Sequence, residues 1–195
     1  KNKVTDYLLK PTDVKEFALT FEKIHSELDE ERRKKYEYET LKKQIRDSLP
    51  LLREKFLNEL VRGCSYDIET IRRKTEYLGL NLETEHVRAI LIEIDNFSSD
   101  ETQFTEDEKN LLFFAVTNII QEVMEGKLKG LCFTGYDEII ILCNSQETNE
   151  VLQKIILDMQ DCVKRYLKKT ISAGIGRTYE SIKQISKSFA EAKKA

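Results

Sequence analysis

The sequence predicts an α+β fold, in which a long N-terminal coiled-coil helix precedes a βαββαβ domain with flanking helices. Before residue 86 the apolar residues recur with helical spacing, whereas after it short β-rich apolar runs alternate with helical segments. Charged residues make up 34% of the chain, and its 195 residues include only seven Gly and two Pro, as is typical of long exposed helices. This order of elements predicts four strands, with both intervening helices on one face of the sheet.

The first helix is expected to run from Asp13 to about Arg46. Its apolar residues recur at steps of four and three, as the seam of a coiled coil requires. The seam residues are Phe17, Phe21, Ile24, Leu28, Tyr38 and Ile45, with the polar residues Glu31 and Lys35 in the middle. A helix of about 34 residues would be roughly 50 Å long and could not bury this stripe against itself, so we expect a parallel homodimer.

Pro50 disfavours helical geometry in the residue before it, so we expect a kink or a restart near residues 47–50. The elements expected after it are, in chain order, a helix over 51–62, a helix capped by Asp67 and ended by Gly79, a strand over 87–94, a helix over 107–125 opened by the capping box of Thr105 and Glu108, two strands over 128–133 and 138–143 joined by a hairpin, a helix over 148–168, a strand over 170–174 and a helix over 180–193.

Composition and charge argue against several classes of function. The net charge is −3, whereas a nucleic-acid surface is normally basic, so the chain itself is not expected to bind DNA. No apolar run approaches the roughly 20 residues that span a bilayer, and no signal peptide opens the chain, so we expect a cytoplasmic protein without a membrane segment. The four Cys and two His lack the spacing of a zinc site, and we expect neither a bound metal nor a cofactor.

Acidic residues follow the first strand and lie in the hairpin between the next two. Glu93 and Asp95 end the first strand and share one of its faces, because strand side chains alternate. The hairpin residues Gly135, Asp137 and Glu138 are expected beside that end. Carboxylates gathered at a strand end are the ligands that a hard cation such as Mg²⁺ needs in order to hold a nucleoside triphosphate.

These residues resemble the active-site motifs of GGDEF diguanylate cyclases. The stretch Ile92-Glu93-Ile94-Asp95-Asn96-Phe97 resembles the metal-binding strand of that family, and Gly135-Tyr136-Asp137-Glu138-Ile139 resembles its hairpin. The resemblance implies that Glu93 and Asp137 take the two metal-ligand positions and that Glu138 takes the acidic position beside them.

The sequence also departs from the family pattern. Tyr136 stands where the family has its second glycine, and a phenol is expected to fill the space that the triphosphate needs. The family's guanine-reading Asn and Asp, and the Gly-His-x-x-Gly-Asp stretch after them, have no counterpart in residues 98–110, and no Arg-x-x-Asp motif precedes Gly135. We therefore expect a degenerate GGDEF-like (ferredoxin-like) domain with no catalytic residues, which is not an enzyme.

The N-terminal residues resemble a different family. Asp6-Tyr7-Leu8-Leu9-Lys10-Pro11, followed by a capped helix, is similar to the last strand and helix of a two-component receiver domain. The resemblance implies that Lys10 is the lysine that binds the phosphoryl group and that Tyr7 is the switch aromatic. Three later phrases, at 52–63, 174–177 and 188–195, resemble in this order the middle region of YesN-type response regulators of the AraC class.

The resemblance implies three segments: a receiver remnant over 1–12, a coiled-coil linker over 13–50 and the GGDEF-like domain over 51–195. The expected function is a non-catalytic connector of a transcriptional response regulator. A sensor histidine kinase would act on the complete receiver, and DNA would be bound by a C-terminal AraC-type domain absent from this chain. Two alternatives stay open. One is a divergent metal-dependent nucleotide cyclase or phosphodiesterase using Glu93, Asp137 and Glu138, and the other is a nucleotide sensor with its ligand between the sheet and residues 51–78.

Overall fold

The computed structural model describes residues 14–97, 105–144 and 148–195, and for residues 14, 16 and 17 it describes the backbone alone. Tyr7 and Lys10 lie outside the described residues, and so does the side chain of Phe17. The chain divides into two units, Lys1–Pro50 and Leu51–Ala195.

The first element is a single helix, α1, that runs from Val14 to Val61 with Pro50 inside it. The expected restart near residues 47–50 and the separate helix over 51–62 were therefore wrong, while the alternative of a kink there stays a prediction. A proline removes one backbone donor, but the five residues after it, Leu51-Leu52-Arg53-Glu54-Lys55, are strong helix formers whose propensities sum in favour of continuation. The Ser48 hydroxyl also donates a hydrogen bond to the Ile45 carbonyl at 3.1 Å, just before the proline.

The remaining elements follow in the expected order. They are α2 (Ile68–Tyr77), β1 (Val87–Ile94), α3 (Glu106–Met124), β2 (Gly130–Thr134), β3 (Ile139–Asn144), α4 (Asn149–Leu167), β4 (Ile171–Ile175), a 3₁₀ turn (Ile182–Gln184) and α5 (Ile185–Ala192). The final helix is shorter than expected, because the 3₁₀ turn occupies its first part. The expected α+β fold is confirmed.

The four strands form one antiparallel sheet in the order β2-β3-β1-β4. In the central strand β1, Ile92 lies opposite Ile139 of β3 on one side and Ala173 of β4 on the other. Seven of the eight β1 residues are buried, and Glu93 is the exposed one. A strand buried on both faces explains why its sequence is nearly all apolar.

Helices cover both faces of the sheet. Ile90, Ile92 and Ile94 of β1 pack into a core with buried residues of α3 and α4. On the other face α5 packs against β1 and β4. The approach of α5 requires Gly174, because a Cβ atom there would collide with the Ala192 carbonyl oxygen. Across the described ranges, no helix is both long enough and apolar enough to cross a bilayer.

Candidate functional site

The carboxylates of β1 lie at the strand end nearest the β2–β3 hairpin. Glu93 is exposed, and its Cα lies opposite Ser172 of β4. Asp95 is anchored to the same strand, because its Oδ1 accepts a hydrogen bond from the Ser172 hydroxyl at 2.7 Å. Asn96 then adopts a left-handed backbone conformation with φ of 58°, which turns the chain away from the sheet. Glu93 is therefore the β1 carboxylate that is open to a ligand.

The β2–β3 hairpin closes tightly around Gly135. The Gly135 N–H donates to the Glu138 carbonyl at 2.7 Å. The Glu138 side chain folds back over the glycine, so that a Cβ atom at residue 135 would lie only 2.8 Å from the Glu138 Cγ. Only glycine permits this close approach, and it brings the Glu138 carboxylate back against the sheet.

Glu138 is almost fully buried, with 7% of its surface exposed. Its two oxygens face two cations: Arg62 Nη2 lies 3.2 Å from Oε1, and Lys193 Nζ lies 3.7 Å from Oε2. A carboxylate this buried is stable only when it is paired, and these two groups provide the pairing. Glu138 therefore anchors the hairpin to α1 and to the end of α5.

The expected acidic residues are brought to one end of the sheet but do not form a cluster. Ile92 and Ile139 are paired, so Glu93, the next residue of β1, lies beside Glu138, the residue before β3. Lys193 joins them, since it contacts Glu138 and lines a cavity of about 390 Å³ together with Glu93. Asp137 is exposed at the turn. In the part of the chain that the structure describes, no three His, Cys, Asp or Glu side chains are grouped closely enough to hold a metal ion.

The Tyr136 side chain is exposed and lies against Arg62. Its surface is 83% exposed, and the Arg62 guanidinium carbon lies 4.7 Å from the centre of its ring. The expectation that the phenol fills the triphosphate space stays a prediction. The attraction between a guanidinium and an aromatic face gives the ring a partner on α1, so it turns outward.

A cleft of about 400 Å³ lies between α3 and the hairpin. Its walls combine aromatic rings with side-chain amides: Phe113, Phe114, Tyr136, Asn110, Asn118 and Gln121. The cleft adjoins the end of β1, because Phe113 packs edge-on against Phe97 with ring centres 4.9 Å apart. Sequence reasoning missed this cleft, although its amides recur at helical spacing along α3.

Comparison with known proteins identifies the type of domain. Residues 65–195 match the family described as the GGDEF-like domain. No curated protein matches the chain. The expected GGDEF-like resemblance is therefore confirmed, while the match does not extend to residues 1–64.

Several solved structures are similar to this chain in fold alone. The active GGEEF domain of a diguanylate cyclase from Vibrio cholerae is 16% identical, with a TM-score of 0.43 over 64% of this chain and 84% of that chain. The Pseudomonas aeruginosa diguanylate cyclase SiaD, solved with its activator SiaC, is 15% identical, with a TM-score of 0.46 over 90% of this chain and 74% of that chain. The guanylate cyclase domain of RhGC from Catenaria anguillulae, solved with GTP, is 16% identical, with a TM-score of 0.33 over 48% of this chain and 55% of that chain.

The expectation that the chain is not an enzyme is contradicted by the match of residues 65–195 to the GGDEF-like domain family. The response-regulator interpretation rests partly on Tyr7 and Lys10, outside the described residues, and stays a prediction.

Proposed function

The chain belongs to the GGDEF-like domain family, and we propose that it is a divergent nucleotide cyclase that takes a nucleoside triphosphate with a divalent cation. The observation that carries the proposal is the cleft between α3 and the hairpin, whose lining includes Gly135 and Tyr136, the two residues before Asp137. A base in the cleft would lie beside the hairpin that carries the Asp137 carboxylate.

The cleft has the chemistry of a base-binding site. Phe113 and Phe114 offer aromatic surface for stacking, with Tyr136 on the hairpin side. The amides of Asn110 and Asn118 each offer both a donor and an acceptor, which suits the edge of a purine. These amides would recognise the base in place of the family's guanine-reading Asn and Asp, which have no counterpart in residues 98–110.

The carboxylates fit a cation that arrives with the nucleotide. Mg²⁺ is usually bound by one or two carboxylates together with substrate phosphates and water, and seldom by a complete protein cage. Glu93 and Asp137, both exposed, would supply the carboxylates. When bound, the cation would neutralise the phosphates and favour attack at phosphorus. Lys193 would add a positive charge to the phosphate side.

Turnover of labelled GTP, and of ATP for comparison, tests this proposal in the presence of Mg²⁺ or Mn²⁺. We expect a cyclic nucleotide product from the wild-type chain and its loss in Asp137→Asn, which keeps the size of the side chain and removes its charge. Asp158→Asn is the matched control, because Asp158 lies on α4 and pairs at 2.7 Å with Lys127.

A wild-type chain without turnover, or a fully active Asp137→Asn variant, would contradict the catalytic proposal. Nucleotide binding without product would instead favour the sensor alternative.

We also propose that the chain forms a parallel homodimer through α1. The seam residues Phe21, Leu28, Tyr38 and Ile45 are between 47% and 66% exposed in the single chain. Apolar residues in a regular stripe along a helix are stabilised when a second helix covers them. In the response-regulator interpretation, this pairing would be the element that a receiver controls.

A further inference from the structure

The last turns of α1 carry a polar stripe that faces the hairpin. Glu54 and Asn58 of α1 and Arg62, the residue directly after it, are spaced four residues apart, and the Arg62 N–H still donates to the Asn58 carbonyl, so the three side chains lie on one side. Each of the three contacts the segment from Thr134 to Glu138. We call these residues the α1 stripe.

Two residues of the α1 stripe hold the start of the hairpin. The Thr134 hydroxyl donates to the Glu54 Oε1 at 3.0 Å. The Asn58 Nδ2 donates to the Thr134 carbonyl oxygen at 2.9 Å and to the Glu54 carbonyl at 3.0 Å. The Asn58 amide therefore links the helix backbone directly to the hairpin backbone.

Arg62 holds the tip of the hairpin at two places. Its Nη2 is 3.2 Å from the buried Glu138 Oε1, and its guanidinium lies over the Tyr136 ring at 4.7 Å. These two contacts are made with the residues on either side of Asp137. A single side chain thus fixes the backbone before and after the carboxylate to which we give a role in cation binding.

We infer that Arg62 is a positioning residue, which with the rest of the α1 stripe sets the place of the Asp137 carboxylate. The effect of Arg62 on cation binding by Asp137 rests on the proposed function, whereas its role in holding the hairpin in place does not. A four-residue turn held at both ends by contacts with one helix would follow that helix if the helix moved. The contacts also explain Tyr136, since a glycine at that position would give the guanidinium no ring to cover.

A planar guanidinium suits this role better than an ammonium group. It can donate to a carboxylate and lie over an aromatic ring at the same time, whereas a lysine provides only a point charge. We therefore expect Arg62→Lys to keep the attraction to Glu138 and to lose the contact with Tyr136. Arg62→Gln should lose both.

Amide hydrogen exchange of the full chain, without nucleotide, tests the mechanical role. We expect the Gly135 amide to exchange roughly fivefold faster in Arg62→Gln, because the hairpin loses its ion pair with Arg62 and opens more often. The effect is expected to be small, because a partly exposed ion pair contributes less to stability than a buried one. Arg62→Lys should give an intermediate rate. Arg73→Gln is the matched control, since Arg73 contacts Thr70 of its own helix at 3.3 Å. Equal rates in Arg62→Gln and Arg73→Gln, or faster exchange throughout the sheet, would overturn the inference.

The second measurement is the Mg²⁺ concentration that gives half-maximal GTP binding. We expect it to rise in Arg62→Gln, to recover partly in Arg62→Lys and to stay unchanged in Arg73→Gln, while the melting temperatures remain similar. An unchanged Mg²⁺ requirement in Arg62→Gln would refute the effect on Asp137. A wild-type chain that binds no GTP would defeat the proposed function, and the exchange rates would still decide the role of Arg62.

Discussion

Two cysteine thiols lie on neighbouring strands of the sheet. Cys132 of β2 and Cys143 of β3 are both packed against the core. Burial raises the pKa of the Cys132 thiol to about 12 and that of the Cys143 thiol to about 11, with the Arg88 charge opposing the second shift. Both thiols therefore stay protonated in the folded chain at neutral pH, and a protonated thiol is a poor nucleophile.

The raised pKa values predict a loss of stability at alkaline pH. Between pH 9.0 and about 12 the unfolded chain releases the Cys132 proton that the folded chain keeps. The folded state then binds more protons, so the free energy of unfolding falls as pH rises, by about 1.4 kcal/mol per pH unit for each such thiol. Urea titrations of wild type, Cys132→Ala and the control Cys64→Ala measure this. A pH slope unchanged in Cys132→Ala would contradict the assignment.

At the scale of single residues, the sequence located the acidic positions but not their surroundings. Strand alternation and the hairpin length sufficed to place Glu93 beside Glu138. The direction of Tyr136 could not be predicted, because it depends on Arg62, which is 74 residues earlier in the chain and reaches the hairpin only after folding. The pairing of Glu138 with Arg62 and Lys193 could not be predicted either, because both cations are distant in sequence and approach it only after folding.

Two helices of equal length offer a comparison of helix capping. Thr105 caps α3 with a complete capping box, in which its hydroxyl accepts from the Glu108 N–H at 3.3 Å and Glu108 Oε2 accepts from the Thr105 N–H at 2.8 Å. Thr148 is the N-cap of α4, and within the described residues its side chain makes no cap hydrogen bond. We expect Thr105→Ala to lower the free energy of unfolding by about 1 kcal/mol.

Thr148→Ala is the matched control for this prediction, because it removes the same atoms from a cap that lacks the hydrogen bond. We expect the change in its free energy of unfolding to be a small fraction of that of Thr105→Ala. Chemical denaturation of both variants gives the comparison. Equal losses would show that the hydroxyl bond of α3 does not stabilise its helix.

At the scale of elements, local signals predicted most ends and failed at one proline. The capping box marked the start of α3, and Asp67 marked the start of α2, where its carboxylate accepts from the Thr70 N–H at 2.7 Å. Pro50 wrongly predicted the end of a helix, because the effect of a single proline was considered without the helix propensity of the neighbouring turns. The wrong break separated the α1 stripe from the long helix that carries it.

At the scale of the whole molecule, the order of elements predicted the sheet. Two strands joined by a four-residue turn form a hairpin, and the split βαβ plan then places β1 between β3 and β4. The cleft between α3 and the hairpin could not be predicted in the same way, because its walls come from elements that approach each other only through packing.

The seam of α1 predicts self-association of the chain. We expect a dimer at high micromolar concentration in sedimentation equilibrium, because an exposed apolar stripe is stabilised by a second copy. Ile45→Asp should shift the chain to monomer, since Ile45 lies in the seam and is 64% exposed. Thr40→Asp is the control, because residue 40 lies opposite the seam. A monomeric wild-type chain, or equal effects of the two substitutions, would contradict the homodimer.

In the proposed function, this chain binds a nucleoside triphosphate and a divalent cation where β1 ends beside the hairpin. Calorimetric titration of the full chain with GTP, in Mg²⁺ and then in excess chelator, tests it most directly. We expect binding that requires Mg²⁺ and weakens at least about tenfold in Glu93→Gln, which corresponds to a loss of about 1.4 kcal/mol. The proposed site would be refuted if the wild-type chain gave no heat of binding, or if neither the chelator nor Glu93→Gln weakened the binding.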